Sequence, residues 1–563
     1  MSFFKNIESI LKLRYYKKIF VFENSDLFSI IRKNQKLYLN KINEILAKLN
    51  FDNNSYFWWA FNFTSKNPLS SLLISKLLDV FAIIDIIEKN EEKKFKIFGI
   101  SPGQNKILES YFGSEYKFSF ELKNSLINKL KLIYSFVETF YRIIITFGFF
   151  KISYRKKNNF NIVLFSFIDG INRNENDPYF GNLIEEIKNK YPQKKIGYLF
   201  LLYTPFLKMK KDLVNEKNSF NLLFDYLKVN DFLWCLIQVF KVFSFKPIVK
   251  IFTYKNKNIF IRNLIYETIL EEFSKGFVEN LLVYRAFRRL NKIKTLEAIL
   301  YPFENKPIEK LMLLGIKNKF KTIGYQHSSI TERHLSFQLL KKEVKINPLP
   351  DKIVTLGEVT RKWIIDKGNI SPTKIDQGVA LRTNLLSIKK VDSLNINNIK
   401  LLFVFSSSID EVKLCINFLQ KVLPKKNIVC RFRFHIHFPF SKLKPNYKNW
   451  VIENVQFIPE NSLQDDLNWT DITLYISSSV ALESLLVGIP IIWLDIDKLN
   501  SNPLLYNNVE NSWKVRSSNE LIDIVYEICY LSSKEKKQKV IKGKEFAESY
   551  MMPKKFLKIK TFL

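Results

Sequence analysis

The chain has 563 residues, enough for two or three domains that each bury a core. With 47% apolar and 25% charged residues, its composition excludes extensive disorder. Lys and Arg number 88 against 54 Asp and Glu, a net charge of +34, which predicts an acidic partner: phosphates, nucleic acid or anionic lipid. An AT-rich genome, whose codons favour Lys, Asn, Ile and Phe together, explains part of this surplus equally well.

Residues 1–155 are predicted to form a mixed α/β extension. They contain short apolar runs at Ile19–Phe22 and Lys94–Ile100, an aromatic cluster at Tyr56–Phe63 and a helical stretch near Leu69–Ile87. The N-terminus has no signal-peptide pattern, so we expect a cytoplasmic protein. The four cysteines have no paired spacing, which predicts neither disulfides nor a zinc site and is typical of a reducing compartment. They are Cys235, Cys415, Cys430 and Cys529.

Two segments, starting at Leu130 and Phe232, mix aromatic, aliphatic and basic residues. Neither reaches the roughly 20 uninterrupted apolar residues needed to cross a bilayer. Their composition suits helices lying in the headgroup layer, with lysines facing anionic phosphates, and predicts a protein peripheral to the inner face of the cytoplasmic membrane. The alternative is a pair of buried core helices with a few charges extending to solvent.

From about residue 156, apolar runs alternate with helical patterns, as in a parallel sheet. The sequence thus predicts an α/β fold with two Rossmann-like parallel-sheet domains facing a cleft, at 156–390 and 391–563, with a polar boundary at Thr383–Asn398. The runs of the first series are Asn161–Phe167, Lys195–Tyr203, Leu296–Asn305, Lys321–Ile330 and Asp351–Glu358. Those of the second are Lys400–Ser408, Asn427–Pro439, Asp471–Ser479 and Ile489–Asp497.

Ligands bind beyond the carboxyl ends of the strands in such sheets, so the residues after each run are candidates. In SSSVALESLLVGIP, a strand turns into a short helix on Ser477, Ser478 and Ser479, which suits a phosphate. Glu483 follows one turn later, where it can accept from ribose hydroxyls. The alternative is a serine that only caps the helix and a solvated glutamate.

The four histidines of the chain form two pairs, one in each domain. In CRFRFHIHF, strand alternation places Arg431, Arg433, His435 and His437 on one cationic face, beside the same phosphate or on a solvated edge. In the first domain, Glu304 and His327 follow predicted strands and are candidate bases for deprotonating an acceptor hydroxyl, or else structural residues. His327 is favoured because its ordinary pKa lies near neutrality.

Two further signals complete the predicted site. Arg382, just before the boundary, is predicted to reach a phosphate across the cleft. The Asp-x-Asp pattern at Asp495 and Asp497 follows the serine helix, and we interpret it as a loop.

The order of ENKP (Glu304–Pro307), GYQHSS, VALR, a His/Pro loop and SSSVALESLLVGIP resembles GT-B glycosyltransferases of bacterial surface polysaccharide synthesis. Trp58 and Trp59, followed by SKNPLSS, resemble the subgroup named for surface carbohydrate biosynthesis. The resemblance covers about residues 50–500. The most similar motifs occur in sialyl-, polysialyl- and Kdo transferases and in polyol-phosphate transferases of teichoic acid synthesis.

This resemblance implies that His435 or His437, with Pro439, binds the nucleotide of a CMP-linked or CDP-linked donor together with the three serines. It implies neither a metal nor another cofactor. The expected function is transfer of a sugar to a lipid-linked or growing surface polysaccharide, of the lipopolysaccharide O-antigen or capsule type. Polyol-phosphate transfer or nucleotide-sugar epimerisation is the alternative on the same fold. A non-catalytic RNA- or membrane-binding protein is a third, although no RNA-recognition signature is visible, so nucleic acid is not the expected partner.

Overall fold

The computed structural model describes residues 24–89, 100–113, 137–138, 141, 158–168, 177–202, 216, 218–382, 395–406, 408–420, 422, 427–436, 438–458, 461–506 and 508–563. Within these ranges the strands form two parallel sheets and one short antiparallel hairpin. Each sheet is flanked by helices, so the predicted fold class of two Rossmann-like parallel-sheet domains is confirmed.

The strands of the first domain are β1 Ile162–Ile168, β2 Ile196–Leu202, β3 Phe220–Leu222, β4 Phe252–Tyr254, β5 Lys257–Ile259, β6 Ala298–Pro302, β7 Lys321–Tyr325, β8 Lys352–Thr355 and β9 Ile375–Gln377. Five of them, β1, β2, β6, β7 and β8, arise from the apolar runs identified above, and the four short strands β3, β4, β5 and β9 were not predicted. In the described part of the chain, seven of the first domain's strands form one sheet in the order β3-β2-β1-β6-β7-β8-β9, and β4 and β5 form the hairpin. The chain reverses its direction across the sheet between β1 and β6, which is where Rossmann-like sheets open a ligand crevice.

The second domain contributes five further strands within the described ranges. They are β10 Ile399–Val404, β11 Ile428–Arg433, β12 Ile472–Tyr475, β13 Ile491–Leu494 and β14 Ser512–Val515. Their order is β11-β10-β12-β13-β14, and all neighbouring pairs are parallel. The order reverses between β10 and β12, so the crevice of this sheet opens where those two strands end.

The helices fill the connections and cover both sheets. They are α1 Asn24–Asp52, α2 Tyr56–Trp59, α3 Leu72–Lys89, α4 Pro102–Phe112, α5 Leu183–Lys190, α6 Val229–Ser244, α7 Arg262–Glu272, α8 Val278–Leu290, α9 Pro307–Ile316, α10 Lys341–Val344, α11 Glu358–Gly368, α12 Ile409–Leu419, α13 Pro445–Asn454, α14 Leu463–Trp469, α15 Val480–Leu486, α16 Ser518–Tyr530 and α17 Ser533–Tyr550. A π-helical turn, Phe273–Phe277, joins α7 to α8.

The regular elements that the structure describes within residues 24–113 are all helices, joined by turns, and they share one apolar core with the first sheet. Trp58 and Trp59 are fully buried in this core. The apolar run Ile19–Phe22 and nearly all of Lys94–Ile100 lie outside the described residues, so the strand content predicted for the extension stays a prediction. The extension therefore packs as part of the first domain's interior.

A second core joins the other face of the first sheet to the second domain and to the C-terminal segment. After α17 the chain returns to the first domain, where the Met552 N–H donates to the Leu356 carbonyl at 3.0 Å. The Met552 carbonyl accepts from the Ala380 N–H at 2.8 Å. Gly357 permits this crossing because a Cβ there would lie 2.4 Å from the Ser549 carbonyl oxygen.

Helix α6 holds the start of the second amphipathic segment. One face is buried through Phe232, Cys235 and Val239, as the core alternative predicted. The opposite face exposes Leu233 and Ile237, whose exposed fractions are 54% and 56%. The segment from Leu130 lies almost entirely outside the described residues. Among the helices that the structure describes, none combines the length and hydropathy of a membrane span.

Candidate functional site

Two groups of the residues predicted to carry chemistry lie at the crevices of the two sheets. Glu304 follows β6, at the reversal point of the first sheet, and His327 follows the neighbouring strand β7. Ser477 to Ser479 follow β12, at the reversal point of the second sheet. Both groups are thus at the position where parallel sheets of this type bind ligands.

Glu304 and His327 form a side-chain pair. The Glu304 Oε1 atom lies 3.2 Å from His327 Nε2, and Lys306 forms an ion pair with the same carboxylate. Burial works to raise the pKa of Glu304, but Lys306 and His327 hold it well below its ordinary range. Burial lowers the pKa of His327, and Glu304 only partly opposes this. At neutral pH the pair is therefore a carboxylate hydrogen-bonded to a neutral imidazole.

The two ring nitrogens of His327 have different surroundings. Nδ1 is buried and has no hydrogen-bond partner among the described residues, whereas Nε2 faces Glu304. The edge of the ring packs against Tyr179, with the ring centroids 4.9 Å apart. An imidazole oriented by a carboxylate through one nitrogen, with the other nitrogen unoccupied, has the arrangement of a general base.

The ENKP motif explains how Glu304 is held. Asn305 adopts a left-handed conformation with φ 59°, which asparagine tolerates well, and Pro307 starts α9. The Glu309 carboxylate of α9 accepts from the Glu304 N–H at 3.0 Å and from the Asn305 N–H at 2.8 Å. Burial, strengthened by the charge of Glu304, raises the pKa of Glu309 to about 8. This turn fixes Glu304 through backbone contacts rather than through a flexible loop.

Arg382 is held by the first domain. Its Nη2 donates to the His327 carbonyl at 3.1 Å, and Nη1 donates to the Pro178 carbonyl at 3.3 Å. The Tyr325 hydroxyl fixes the preceding residues, because it donates to the Val379 carbonyl and accepts from the Leu381 N–H. Arg382 is exposed, and its charge acts on Glu483 of the second domain. The predicted reach across the cleft is consistent with this placement, while its phosphate contact stays a prediction.

The serine segment differs from a simple capped helix. Ser479 is the N-cap of α15, but its side chain makes no capping hydrogen bond, so the capping alternative is wrong for this residue. Ser478 is buried, and the Ser477 hydroxyl donates to Glu411 of α12. The phosphate contacts predicted for the three serines stay predictions.

Glu483 is the carboxylate of this segment. It is partly buried on α15, and burial raises its pKa to about 7, against the opposing charges of Arg382 and Arg433. A carboxyl group that is only partly ionised at neutral pH can accept hydrogen bonds from sugar hydroxyls when it ionises. The ribose contact predicted for Glu483 stays a prediction.

The strand carrying the second histidine pair lies in the same sheet as the serine segment, as predicted. Strand β11 is the edge strand, and β10 lies between it and β12. Its edge position agrees with the edge-strand alternative, although Arg431 is buried rather than solvated. One carboxylate partly offsets the charge of this face, since Arg431 and Arg433 both donate to Asp466, at 3.1 and 2.7 Å.

The shared carboxylate shows that the two arginines do lie on one face, as alternation predicted. The strand ends at Arg433, however, so His435 lies in the following turn, where its carbonyl accepts from the Phe438 N–H. Pro439 caps a short 3₁₀ helix. His437 lies outside the described residues. The nucleotide contacts predicted for these three residues stay predictions.

Asp495 and Asp497 lie in the loop after β13, as predicted. Asp495 pairs with Arg32 of α1 at 2.5 Å and with Lys514 and Arg516 of its own domain. Asp497 pairs with Arg333 of the first domain at 2.8 Å. In the described part of the chain, no group of three or more His, Cys, Asp and Glu residues is arranged to hold a metal. Cations of the protein itself engage both carboxylates of this loop.

Sequence reasoning missed the residues after β10. The run KLLFVFSSS ends in three serines just as DITLYISSS does, and β10 and β12 are adjacent, with Val404 opposite Tyr475. Glu411 joins the two turns, since it accepts from the Ser406 N–H at 3.1 Å and from the Ser477 hydroxyl. The repeated triplet was the signal that could have identified this second turn.

No protein-family model matches the chain. One curated protein, the large ribosomal subunit protein uL23 of Mycoplasma mobile, is 29% identical over 102 residues, which are 18% of this chain and 47% of that protein. The chain thus spans about half the length of this relative, and the match shows no family.

Solved structures resemble the chain over most of its length. HepE of Anabaena in complex with UDP-glucose is 11% identical, with a TM-score of 0.41, and the match covers 71% of this chain and 96% of HepE. The match to the lipopolysaccharide outer core galactosyltransferase WaaB covers 71% of this chain and 97% of WaaB, with 13% identity and a TM-score of 0.39. The match to the wall teichoic acid polymerase TagF covers 79% of this chain and 96% of TagF, with 12% identity and a TM-score of 0.38. Similarity at this level of identity and TM-score carries no argument about this chain.

Proposed function

We propose that this protein is a GT-B glycosyltransferase that moves a sugar from a nucleotide-activated donor to a lipid-linked or growing bacterial surface polysaccharide. The observation that carries this proposal is that each of the two sheets has polar side chains at its crevice. A carboxylate–imidazole pair lies at the reversal point of the first sheet, and hydroxyls with a carboxylate lie at that of the second. Arg382 lies between them.

The reaction assigns one task to each crevice. The serine turns and Glu483 bind the nucleotide, so that the anomeric carbon of the sugar faces the first domain. His327 takes the proton of the acceptor hydroxyl as its oxygen forms a bond to that carbon, and the bond to the donor phosphate breaks. Glu304 stabilises the imidazolium that results. No other proton transfer is needed, which fits a site with one neutral base.

A thermal-shift screen of CMP, CDP, UDP and GDP, with their sugar conjugates, tests the donor site. A ligand that binds only the folded protein raises its melting temperature. We expect at least one of them to do so in the wild type, and Ser478→Ala to weaken its affinity by about fivefold to tenfold through the loss of one hydrogen bond.

Ser371→Ala is the matched control, because Ser371 is an exposed serine of the first domain. It should bind nucleotide as the wild type does. If none of the ligands shifts the wild-type transition, the donor site is wrong. Product analysis with the ligand that binds then separates sugar transfer from polyol-phosphate transfer or epimerisation.

We also propose that the enzyme is cytoplasmic and works at the inner face of the membrane, with the exposed side of α6 in the headgroup layer. Val229, Leu233, Ile237 and Phe240 recur at helical spacing on this side, and Lys228 and Lys241 flank them. An apolar stripe bordered by lysines suits an anionic bilayer.

Leu233→Glu combined with Ile237→Glu is expected to lower binding to vesicles of phosphatidylglycerol and phosphatidylcholine by about tenfold, because it places two charges in the inserted stripe. Co-sedimentation measures the bound fraction. Ile452→Glu alters an equally exposed isoleucine of the second domain and should bind normally. Equal binding by all three proteins would contradict the assignment of this surface.

A further inference from the structure

Arg333 lies where the two domains meet. It follows β7 in the first domain, is only 8% exposed, and its Nη1 atom donates to Asp497 of the second domain at 2.8 Å. A neighbouring contact, between Lys498 and Asp79, also joins the loop after β13 to the first domain at 2.6 Å. Arg333 differs from Lys498 in being almost wholly buried.

The guanidinium of Arg333 has unused hydrogen-bonding capacity. Its Nε atom is buried without a hydrogen-bond partner among the residues that the structure describes. Buried donors are nearly always paired, and an arginine presents five of them in a planar fork that matches two oxygens of a phosphate. A single carboxylate oxygen at 2.8 Å satisfies only part of this capacity.

The surroundings of Arg333 indicate which ligand would accept its unused hydrogen bonds. Glu411 accepts from the Ser406 N–H and from the Ser477 hydroxyl, and so joins the two serine turns. Burial raises the pKa of Glu411, while its two serine contacts and the positive charge of Arg333 oppose this rise. Free N–H groups and hydroxyls at such turns suit a phosphate, and Arg333 of the opposite domain offsets the Glu411 carboxylate beside them.

We infer that Arg333 binds the phosphate of the nucleotide donor at the paired serine turns, exchanging part of its contact with Asp497 for the phosphate oxygens. This inference rests on the proposed function and adds a binding residue from the first domain to a site otherwise built by the second. A donor held by both domains would stabilise the arrangement in which its sugar faces His327.

Isothermal titration of the wild type, Arg333→Ala, Arg333→Lys, Asp497→Asn and Lys498→Ala with CMP, CDP, UDP, GDP and inorganic pyrophosphate tests this assignment. We expect Arg333→Ala to weaken phosphate-bearing ligands by about 10- to 100-fold, as for loss of a charge-assisted contact, and Arg333→Lys to weaken them less. Asp497→Asn removes the competing carboxylate and should bind severalfold more tightly. Lys498→Ala breaks the neighbouring interdomain pair and should bind as the wild type does.

Three outcomes contradict the inference. Unchanged affinity in folded Arg333→Ala would overturn it, and so would equal losses in Arg333→Ala and Asp497→Asn, because the ion pair would then only hold the domains together. A wild type that binds neither nucleotide nor pyrophosphate would overturn both the inference and the proposed function. If pyrophosphate binds through Arg333 but no nucleotide binds, the anion site stands and the proposed function fails.

Discussion

Replacing His327 with alanine is expected to lower kcat by about 10²- to 10⁴-fold, while nucleotide affinity stays within about twofold of the wild type. The expected split follows from position, since His327 belongs to the first domain and faces Glu304, whereas the serine turns and Glu483 belong to the second. Steady-state kinetics with the identified donor, together with calorimetric nucleotide titration, measures both quantities.

The pH profile gives a second measure of the same residue. Burial lowers the pKa of His327 below 6.5, so its neutral, proton-accepting form predominates at pH 7 and is lost only as the pH falls through that lowered pKa. We expect the kcat of the wild type to fall at some pH below 6.5, which gives its pH profile an acid limb. Glu304→Gln removes the charge that raises the His327 pKa, so the limb should move to lower pH while kcat falls, because a less basic imidazole accepts the proton less readily.

His334→Asn is the matched control for His327. Burial, with the charge of Arg333, lowers the pKa of His334 to about 3, so this residue cannot produce the acid limb. Its Nδ1 accepts from the Thr331 N–H at 3.1 Å, a contact that an asparagine oxygen can replace. Retained activity in His334→Asn with loss in His327→Ala supports the assignment. Similar losses in both variants would indicate a structural role for the loop and would contradict the base.

The sequence predicted the central strands of both sheets because each is a short apolar run that ends in polar residues, whereas short strands such as β9 and β14 contain too few apolar residues to give this signal. The rule that ligands lie beyond strand ends then selected Glu304, His327 and the serine segment, and these do lie at the crevices of the two sheets. That inference needs only local pattern and the handedness of parallel connections. It does not need the order of the strands.

Sequence reasoning failed for contacts between residues that lie far apart in the sequence. Alternation correctly placed Arg431 and Arg433 on one face, but it could not show that both would donate to Asp466 of α14, since that contact joins residues more than 30 positions apart. Nor could it show that β10 separates β11 from β12. The contact of Arg333 with Asp497 spans 164 positions and depends on how the two domains pack. Periodicity carries no information on such pairs.

Glu483→Gln is expected to stabilise the protein without ligand and to weaken nucleotide binding. Burial raises the pKa of Glu483 to about 7 in the folded protein, above its ordinary value of 4.5. The folded state therefore holds the proton more tightly than the unfolded state, and this stabilisation is lost as the pH rises from 4.5 through 7. Above pH 7, glutamine avoids a poorly solvated charge and should raise the free energy of unfolding by about 1–2 kcal/mol.

The stabilisation should be present at pH 8 and disappear near pH 4.5, where the native glutamate is already protonated. Thermal melts of the two proteins at both pH values measure the difference. Glu453→Gln changes an exposed glutamate on α13 and should show no such dependence. A Glu483→Gln variant that is less stable than the wild type at pH 8 would show that the ionised carboxylate is well satisfied by its arginines in the absence of ligand.

The binding effect has the opposite sign and distinguishes a ligand site from a poorly solvated structural acid. If ionised Glu483 accepts from ribose hydroxyls, nucleotide affinity rises as the pH increases through about 7, whereas the glutamine variant is weaker and insensitive to this change. Calorimetric titration at pH 6 and pH 8 measures how the nucleotide affinity of each protein changes with pH. A more stable protein with unchanged affinity would place the nucleotide elsewhere, because a residue that only destabilises the fold has no reason to affect the ligand.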